Sequence, residues 1–259
     1  MGGAAWLESE WLARMHRSME AAWRALAAGS EGGHLVEAEG VVAAVVPALP
    51  ERSVFNSVLY ERPEHLAVAR DELARAYDRA GVRAWTVWVP ESDRASAELL
   101  AAAGHVLDAT PRGMALHLSD LAPVEADDLE WTADASLDDL KRINDAAYGD
   151  EPGTFELGIG TPPEDAWRLY SADRDGRPAS VLATTDVDGD CGVWWVATLP
   201  EARGRGLAAR LLHIALAEAR ERGMETSTLQ STKLGRPVYE RLGYHDLCEL
   251  GMWELRRAR

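Results

Sequence analysis

The stretch TLPEARGRGLAARLLHIALAEARERG, residues 198–223, decides how the rest of the chain is read. Most of it reads as a long apolar helix, yet its opening turn carries Arg203, Gly204, Arg205 and Gly206. A helix N-terminus holds about half a positive charge and several unpaired N–H donors, and glycines let an anion approach the backbone without striking a Cβ atom. Arg203 and Arg205 add charge-assisted donors. The preceding run VWWVATL, residues 193–199, is almost continuously apolar, as in a strand buried on both faces, and Pro200 ends it. A buried strand running through a glycine loop into a helix asks for a phosphate or pyrophosphate.

Three phosphate loops compete for this pattern. A Walker loop needs GxxxxGK before Ser or Thr, and no Lys is present in the loop. A dinucleotide loop needs GxGxxG, and Ala209 stands where the third glycine belongs. The spacing from Arg203 through Gly206 to Ala208 fits a third kind, RxxGxA.

Composition narrows the partners. The 259 residues hold 43 Asp and Glu against 27 Lys and Arg, a formal net charge of -16, which repels nucleic acid and anionic membranes. Cys191 and Cys248 match no metal or redox spacing, and the seven His form no HxxxH pair, so no metal is expected. Glu8, Glu10, Arg14 and Arg17 interrupt any signal core, and no run reaches the roughly 20 apolar residues of a membrane span. The expectation is a soluble cytoplasmic protein.

Along the chain, Leu7, Trp11, Met15, Met19, Ala22 and Leu26 lie three or four apart and predict a helix from Ala5 to Ala28, stopped by Gly29. GVVAAVVPAL and SVFNSVLYE predict strands, Pro63 to Ala80 a helix, RAWTVWV a strand, RASAELLAAAG a short helix, and HVLDA with GMALHL closing strands. DLAPVEADD reads as a linker, after which the pattern starts over. LEWT predicts a strand, Leu137 to Tyr148 a helix, and YGDEPGTFELGIGTPPED an irregular segment whose GxG, Gly158 to Gly160, reads as a mobile loop. AWRLYSA, PASVLATTDVDG and CGVWWVATL predict strands; beyond the quoted helix come the strand TSTLQST, a helix at GRPVYERLG and the ending YHDLCELGMWEL. RAGVRAWTVWV resembles ERGMETSTLQS and LLAAAGH resembles VYERLGY at nearly equal offsets, which points to a duplication.

LPEARGRGLAARLL resembles the acyl-CoA pyrophosphate loop of the GNAT superfamily of N-acyltransferases, whose signature is Arg or Gln, two residues, Gly, one residue, then Gly or Ala. LQSTKLGRPVYERLGY resembles the segment in which that family places a Tyr near the CoA sulfur before a Leu-Gly-aromatic ending. The resemblance covers roughly Leu129 to Leu255 and implies a mixed α/β (α+β) fold. It implies two GNAT-like domains, each a largely antiparallel sheet flanked by helices. Residues 1–120 would be a degenerate scaffold copy and residues 121–259 the acetyl-CoA-binding catalytic domain. In the first copy the matching connection reads Glu61, Arg62, Pro63, Glu64: it has no glycine, Pro63 removes an amide donor, and the two acids sit where a phosphate would need to.

By the resemblance, Arg203, Gly204, Arg205, Gly206, Leu207 and Ala208 would contact the pyrophosphate, and Val196, Ala197 and Thr198 would bond the pantetheine as an added strand. Tyr239 would protonate the departing thiolate. A neutral amine would attack the thioester while a strand amide near Val196 to Thr198 stabilises the oxyanion. Many family members keep a Glu on or near this strand, where Trp194 and Trp195 stand here. Asp186, Asp188 and Asp190 around Gly189 read as a hairpin turn, and the general base stays open between a carboxylate and a water chain. Asp150, Glu151 and Glu156 of the irregular segment lie where the family builds its acceptor pocket. The implied function is an acetyl-CoA-dependent N-acetyltransferase acting on a small-molecule or peptide amine, as a monomer or homodimer. A non-catalytic acyl-CoA-binding or sensing protein is the alternative, and a binder of some other nucleotide phosphate a third reading.

Overall fold

The computed structural model describes residues 9–257. The expected first helix becomes α1, Glu10–Gly29, started by the Ser9 hydroxyl accepting from the Leu12 amide at 3.2 Å; Ala5 to Glu8 lie outside the described residues. There follow β1 His34–Ala38, β2 Val41–Val45, β3 Ser57–Tyr60, α2 Pro63–Arg79, β4 Ala84–Pro90, α3 Arg94–Ala102, β5 Val106–Ala109 and β6 Arg112–His117. The second run comprises β7 Trp131–Thr132, α4 Leu137–Tyr148, α5 Thr154–Ile159, β8 Arg168–Arg174, β9 Arg177–Val187 and β10 Asp190–Thr198. It closes with α6 Leu207–Glu221, β11 Thr226–Ser231, α7 Arg236–Arg241 and β12 His245–Arg256.

Two expected elements differ. The strand expected at SVFNSVLYE begins only at Ser57, because the preceding Ser53–Phe55 is a 3-10 turn. Buried Asn56 fixes that turn, donating to the carbonyls of Leu49 and Arg52 at 2.9 and 3.1 Å and accepting from the Val46 amide at 2.7 Å. The irregular segment after α4 contains α5, a single short helix.

The chain forms two compact units, and they are not the two contiguous halves of the sequence. The first takes the residues up to Gly113, Leu157–Pro163, and the chain from Leu247; the second takes Met114–Glu156 and Glu164–Asp246. In the first, strand order is β1-β2-β3-β4-β12. There β12 runs antiparallel to β4, from Leu250↔Pro90 to Arg256↔Ala84, and antiparallel to β5. In the second, the order is β6-β11-β10-β9-β8-β7. A boundary at residue 120 therefore does not separate the units, since β12 completes the first sheet and β6 the second. The units share a plan: an antiparallel meander (β1 to β3; β8 to β10) and then a strand parallel to the last one, reached through a helix (α2 to β4; α6 to β11). Gly81 and Gly223 end those helices at φ 72 and 94, and Gly104 and Gly243 follow at φ 90 and 100, so the sequence repeat is also a repeat of topology.

The first core is built on Phe55, Tyr60, Tyr77 and Trp85, with the last two rings stacked at 4.8 Å. The second gathers Tyr170, Leu182, Val193, Leu211, Leu212, Leu216, Leu229 and Tyr244 between its sheet and α6. Among the described residues no helix is long and apolar enough to cross a membrane, and no group of three or more His, Cys, Asp or Glu could hold a metal. Both cysteines are buried and free.

His105 gives the first unit an acid-sensitive point. Its ring is 4% exposed and meets Trp85 edge-on at 4.7 Å, and burial holds its pKa down to about 4. An imidazole held below its unfolded value of about 6.5 favours the fold above that pH, and the contribution is lost as pH falls from there toward 4. The loss amounts to at most about 3 kcal/mol. Thermal melts between pH 7 and 4 are expected to show a shallower acid-side decline for His105→Phe than for the native chain.

Candidate active site

The parallel pair β10 and β11 is in register only at Asp190, Cys191 and Gly192 against Thr226, Ser227 and Thr228. Side chains fasten that end: the buried Asp190 carboxylate accepts from the hydroxyls of Thr226 and Thr228 at 2.8 and 2.6 Å, and the Ser227 hydroxyl donates to the Cys191 carbonyl at 2.6 Å. Beyond Gly192 the register of β10 continues on the β9 side and slips between Trp194 and Ala197. Trp195 takes φ 53 inside this bulge, a left-handed conformation that is strained for a bulky residue.

The surroundings hold Trp195 there. Asn144 of α4 is fully buried and its Nδ2 donates to the carbonyls of Leu140 and Trp195 at 2.8 and 3.2 Å. The Trp195 indole meets Phe155 and Trp167 edge-on, at ring distances of 5.5 and 6.4 Å. Of the three expected pantetheine partners, Val196 falls in the register slip, whereas Ala197 and Thr198 pair with Val181 and Ser180.

The chain then turns through Pro200–Ala202 into the glycine loop. Gly204 and Gly206 both have φ 75, and Gly206 is the N-cap of α6. A Cβ at Gly204 would touch nothing within 4 Å and one at Gly206 only Arg210 Cδ at 3.9 Å, so the glycines are required by backbone conformation rather than by space. Residues 203–206 are exposed, Leu207 and Ala209 are buried beneath them, and no side chain caps the helix. Its first amides are open donors.

The two loop arginines behave differently. Arg203 folds back, its Nε donating to the Thr198 carbonyl at 3.2 Å and its Nη2 to the Ala147 carbonyl at 2.6 Å, which fastens the loop to the ends of β10 and α4. Arg205 is exposed and its guanidinium has no partner among the described residues.

Tyr239 lies on α7 in the same apolar cluster as Val193, with Val196 packed against it. Its ring meets Tyr244 edge-on at 5.9 Å, and its hydroxyl has no hydrogen-bond partner among the described residues. Burial first, and then the neighbouring Tyr148 hydroxyl, push its pKa well above the ordinary range. The group therefore keeps its proton at neutral pH.

The aspartates form the expected hairpin. Asp188 and Gly189 take positive φ at its tip, Asp186 pairs with Arg222 at 2.7 Å, and Asp190 is bound at the opposite end of β10 from Thr198. The segment read as a mobile loop is instead anchored. Asp145 accepts from the amides of Gly153 and Phe155 at 2.7 and 2.9 Å, Lys141 pairs with Glu156 at 2.6 Å, and Tyr148 stacks on Phe155 at 6.1 Å. Within the first unit, the Ser30 hydroxyl donates to the Leu157 carbonyl at 2.8 Å, and Gly158 lies so close to Phe55 that a Cβ would come within 2.5 Å of its ring. The lone GxG is a packing feature. Asn144 was not anticipated; a polar residue beside Leu140 and Ile143 on the buried face of α4 was the available signal.

A parallel strand pair parts here beside an uncapped, glycine-opened helix, and the comparisons point to acetyltransferases. Residues 165–246 match the family model of the acetyltransferase (GNAT) domain, and they lie within the second unit. No curated protein matches the chain. Among solved structures it is similar to a GCN5-related N-acetyltransferase from Kribbella flavida, at 21% identity and TM-score 0.69 over 94% of this chain and 96% of that one. It is also similar to a GCN5-related N-acetyltransferase from Sphaerobacter thermophilus, at 18% identity and TM-score 0.60 over 100% and 96%. A tandem GNAT protein from the clavulanic acid biosynthesis pathway matches at 14% identity and TM-score 0.54 over 95% and 96%. These likenesses show a shared fold along nearly the whole chain, two copies included.

The positive φ at Gly206 has a direct check. Gly206→Ala is expected to lower stability by about 1 kcal/mol in denaturant unfolding, the strain of placing a Cβ in the left-handed region, while Ala208→Gly weakens the helix by a similar amount for the opposite reason.

Proposed function

We propose that the chain is an acetyl-CoA-dependent N-acetyltransferase of the cytoplasm that acetylates a primary amine of a small molecule or peptide by direct attack. The observation that carries this reading is the parting of β10 from β11 beside the open helix start at Gly206. Backbone amides of Arg203, Gly204, Arg205, Gly206, Leu207 and Ala208 would bind the CoA pyrophosphate, with the Arg205 guanidinium alongside. Val196, Ala197 and Thr198 would bond the pantetheine as a strand would. The Val196 amide, in the register slip, is the one suited to polarise the thioester carbonyl.

Tyr239 keeps its proton through the neutral range and would deliver it to the departing thiolate. None of the three hairpin aspartates sits at this end of β10, so the amine would lose its proton to water. That missing carboxylate is also what favours the alternative, an acyl-CoA-binding protein without turnover.

The first unit, in this reading, is a degenerate copy kept as scaffold. Its α2 begins with Arg62 as N-cap, Pro63 in the first turn and Glu64 next, with no positive-φ glycine and with negative charge at the helix start. One CoA per chain is the expected stoichiometry, with function confined to residues 121–259 although folding is not.

Release of free thiol from acetyl-CoA over a panel of amines tests the proposal: turnover supports it, whereas CoA binding without turnover on any amine favours the sensing alternative. Gly206→Glu is expected to weaken CoA binding about a thousandfold by calorimetry, since a carboxylate about 4 Å from a phosphate costs roughly 4 kcal/mol at an effective dielectric near 20. Unchanged affinity would remove the loop from the site. Tyr239→Phe should keep CoA affinity and lower kcat about a hundredfold, because proton delivery acts in the transition state; a variant with full kcat would make Tyr239 structural.

A further inference from the structure

The amide that polarises a thioester must point in one direction, and a strand bulge alone does not fix that direction. In this molecule Trp195 and Val196 lie in the slip between Trp194↔Ala183 and Ala197↔Val181, so ladder pairing does not orient the peptide between them. That peptide is planar and trans, which places the Trp195 carbonyl and the Val196 N–H on opposite sides of the strand. Whatever holds the carbonyl aims the amide. Asn144 holds it: its Nδ2 donates to the Trp195 carbonyl at 3.2 Å and to the Leu140 carbonyl at 2.8 Å.

The same side chain shows why an asparagine stands there. It is fully buried on the face of α4 that carries Leu140 and Ile143, a position that packing alone would give to an apolar residue. Both Nδ2 hydrogens are used, while Oδ1 is buried without a partner. A buried acceptor left unsatisfied disfavours the fold, so the residue is a net burden on packing and its two donated bonds are what it contributes. Leucine or alanine would fill the site but could not donate to the carbonyl of this strained residue.

We propose that Asn144 is a positioning residue for acyl transfer: by holding the Trp195 carbonyl against α4 it aims the Val196 amide at the thioester oxygen. This rests on the acetyltransferase reading above. Asn144 touches neither substrate, and it acts through the backbone of β10. Asparagine is suited because an amide nitrogen donates to two carbonyls at once, whereas an ionised aspartate at the same place would present oxygen to oxygen. The nearest charged side chains on α4 are engaged, Lys141 with Glu156 and Asp145 with the Gly153 and Phe155 amides, and β10 carries no charge from Cys191 to Thr198.

The test measures kcat for acetyl-CoA and an accepted amine, CoA affinity by calorimetry and the ligand-free melting temperature, for the native chain, Asn144→Leu and Asn144→Asp. Loss of an aimed oxyanion donor lowers kcat by about 10²-fold or more. Asn144→Leu is expected to show a loss of that size with CoA affinity within about twofold of native, because CoA itself lacks the thioester oxygen. Asn144→Asp, of the same size and shape, should be slow at neutral pH. Its ratio to the native kcat should rise as pH falls, because the protonated acid regains a donor for the Trp195 carbonyl. Native kcat in either variant at neutral pH overturns the proposal, as does a loss of turnover matched by an equal loss of CoA affinity, which would mean a merely structural role. If the leucine variant does not fold, the pH ratio of the aspartate variant decides: a flat ratio overturns the proposal. A native chain that binds CoA but releases no thiol with any amine overturns the acetyltransferase reading first, and this inference with it.

Discussion

The structure turns on a parallel strand pair that holds for three residues and then stops. Parallel ladders give no reason of their own to end there, so the ending is imposed by side chains. At the joined end, Asp190 gathers the Thr226 and Thr228 hydroxyls, and Ser227 bonds both the Cys191 carbonyl and the Tyr244 hydroxyl, the latter at 2.6 Å. At the open end, Asn144 draws on the Trp195 carbonyl and the aromatic rings of Phe155 and Trp167 hold its indole. One set of bonds closes the strands and the other keeps them bent, and backbone donors and acceptors are left for an extended ligand between them.

The glycine loop extends the same logic. Gly204 and Gly206 both take the left-handed backbone that the turn requires, and Arg203 ties the turn to the strand it has just left. An open helix start is useful to an anion only if it stands still, and the buried Leu207 and Ala209 below it keep it so. Electrostatics reinforce the placement. In a chain with a formal net charge of -16, an exposed Arg205, without a partner among the described residues, is a local positive spot beside bare amides in a negative molecule.

The sequence reveals what is set locally. The helix Leu137–Tyr148 is legible to the residue because Ser136 caps one end and Gly149, at φ 72, ends the other. The glycine loop is legible because residue type alone fixes its backbone. β1 is not, since its residues are largely exposed and show no apolar alternation. α5 is not, since its first amides are satisfied by Asp145, a side chain well before it in sequence. The bend at Trp195 and the inward turn of Arg203 are likewise hidden, because each depends on a partner 50 or so positions away (Asn144 51, Ala147 56) that only the fold brings close. The destinations of β6 and β12 are hidden for the same reason: pairing partners in a sheet are a non-local choice.

The placement of β12 carries a consequence for how the molecule is made. A ribosome delivers the first unit's β4 and β5 long before Leu247 to Arg256 emerge, yet β12 is the strand that pairs with both. Until then β4, buried along its whole length in the finished fold, has an open flank. The N-terminal copy therefore cannot finish first, as consecutive domains usually do during synthesis. The first unit closes only when this strand arrives, after every residue of the second unit has been made.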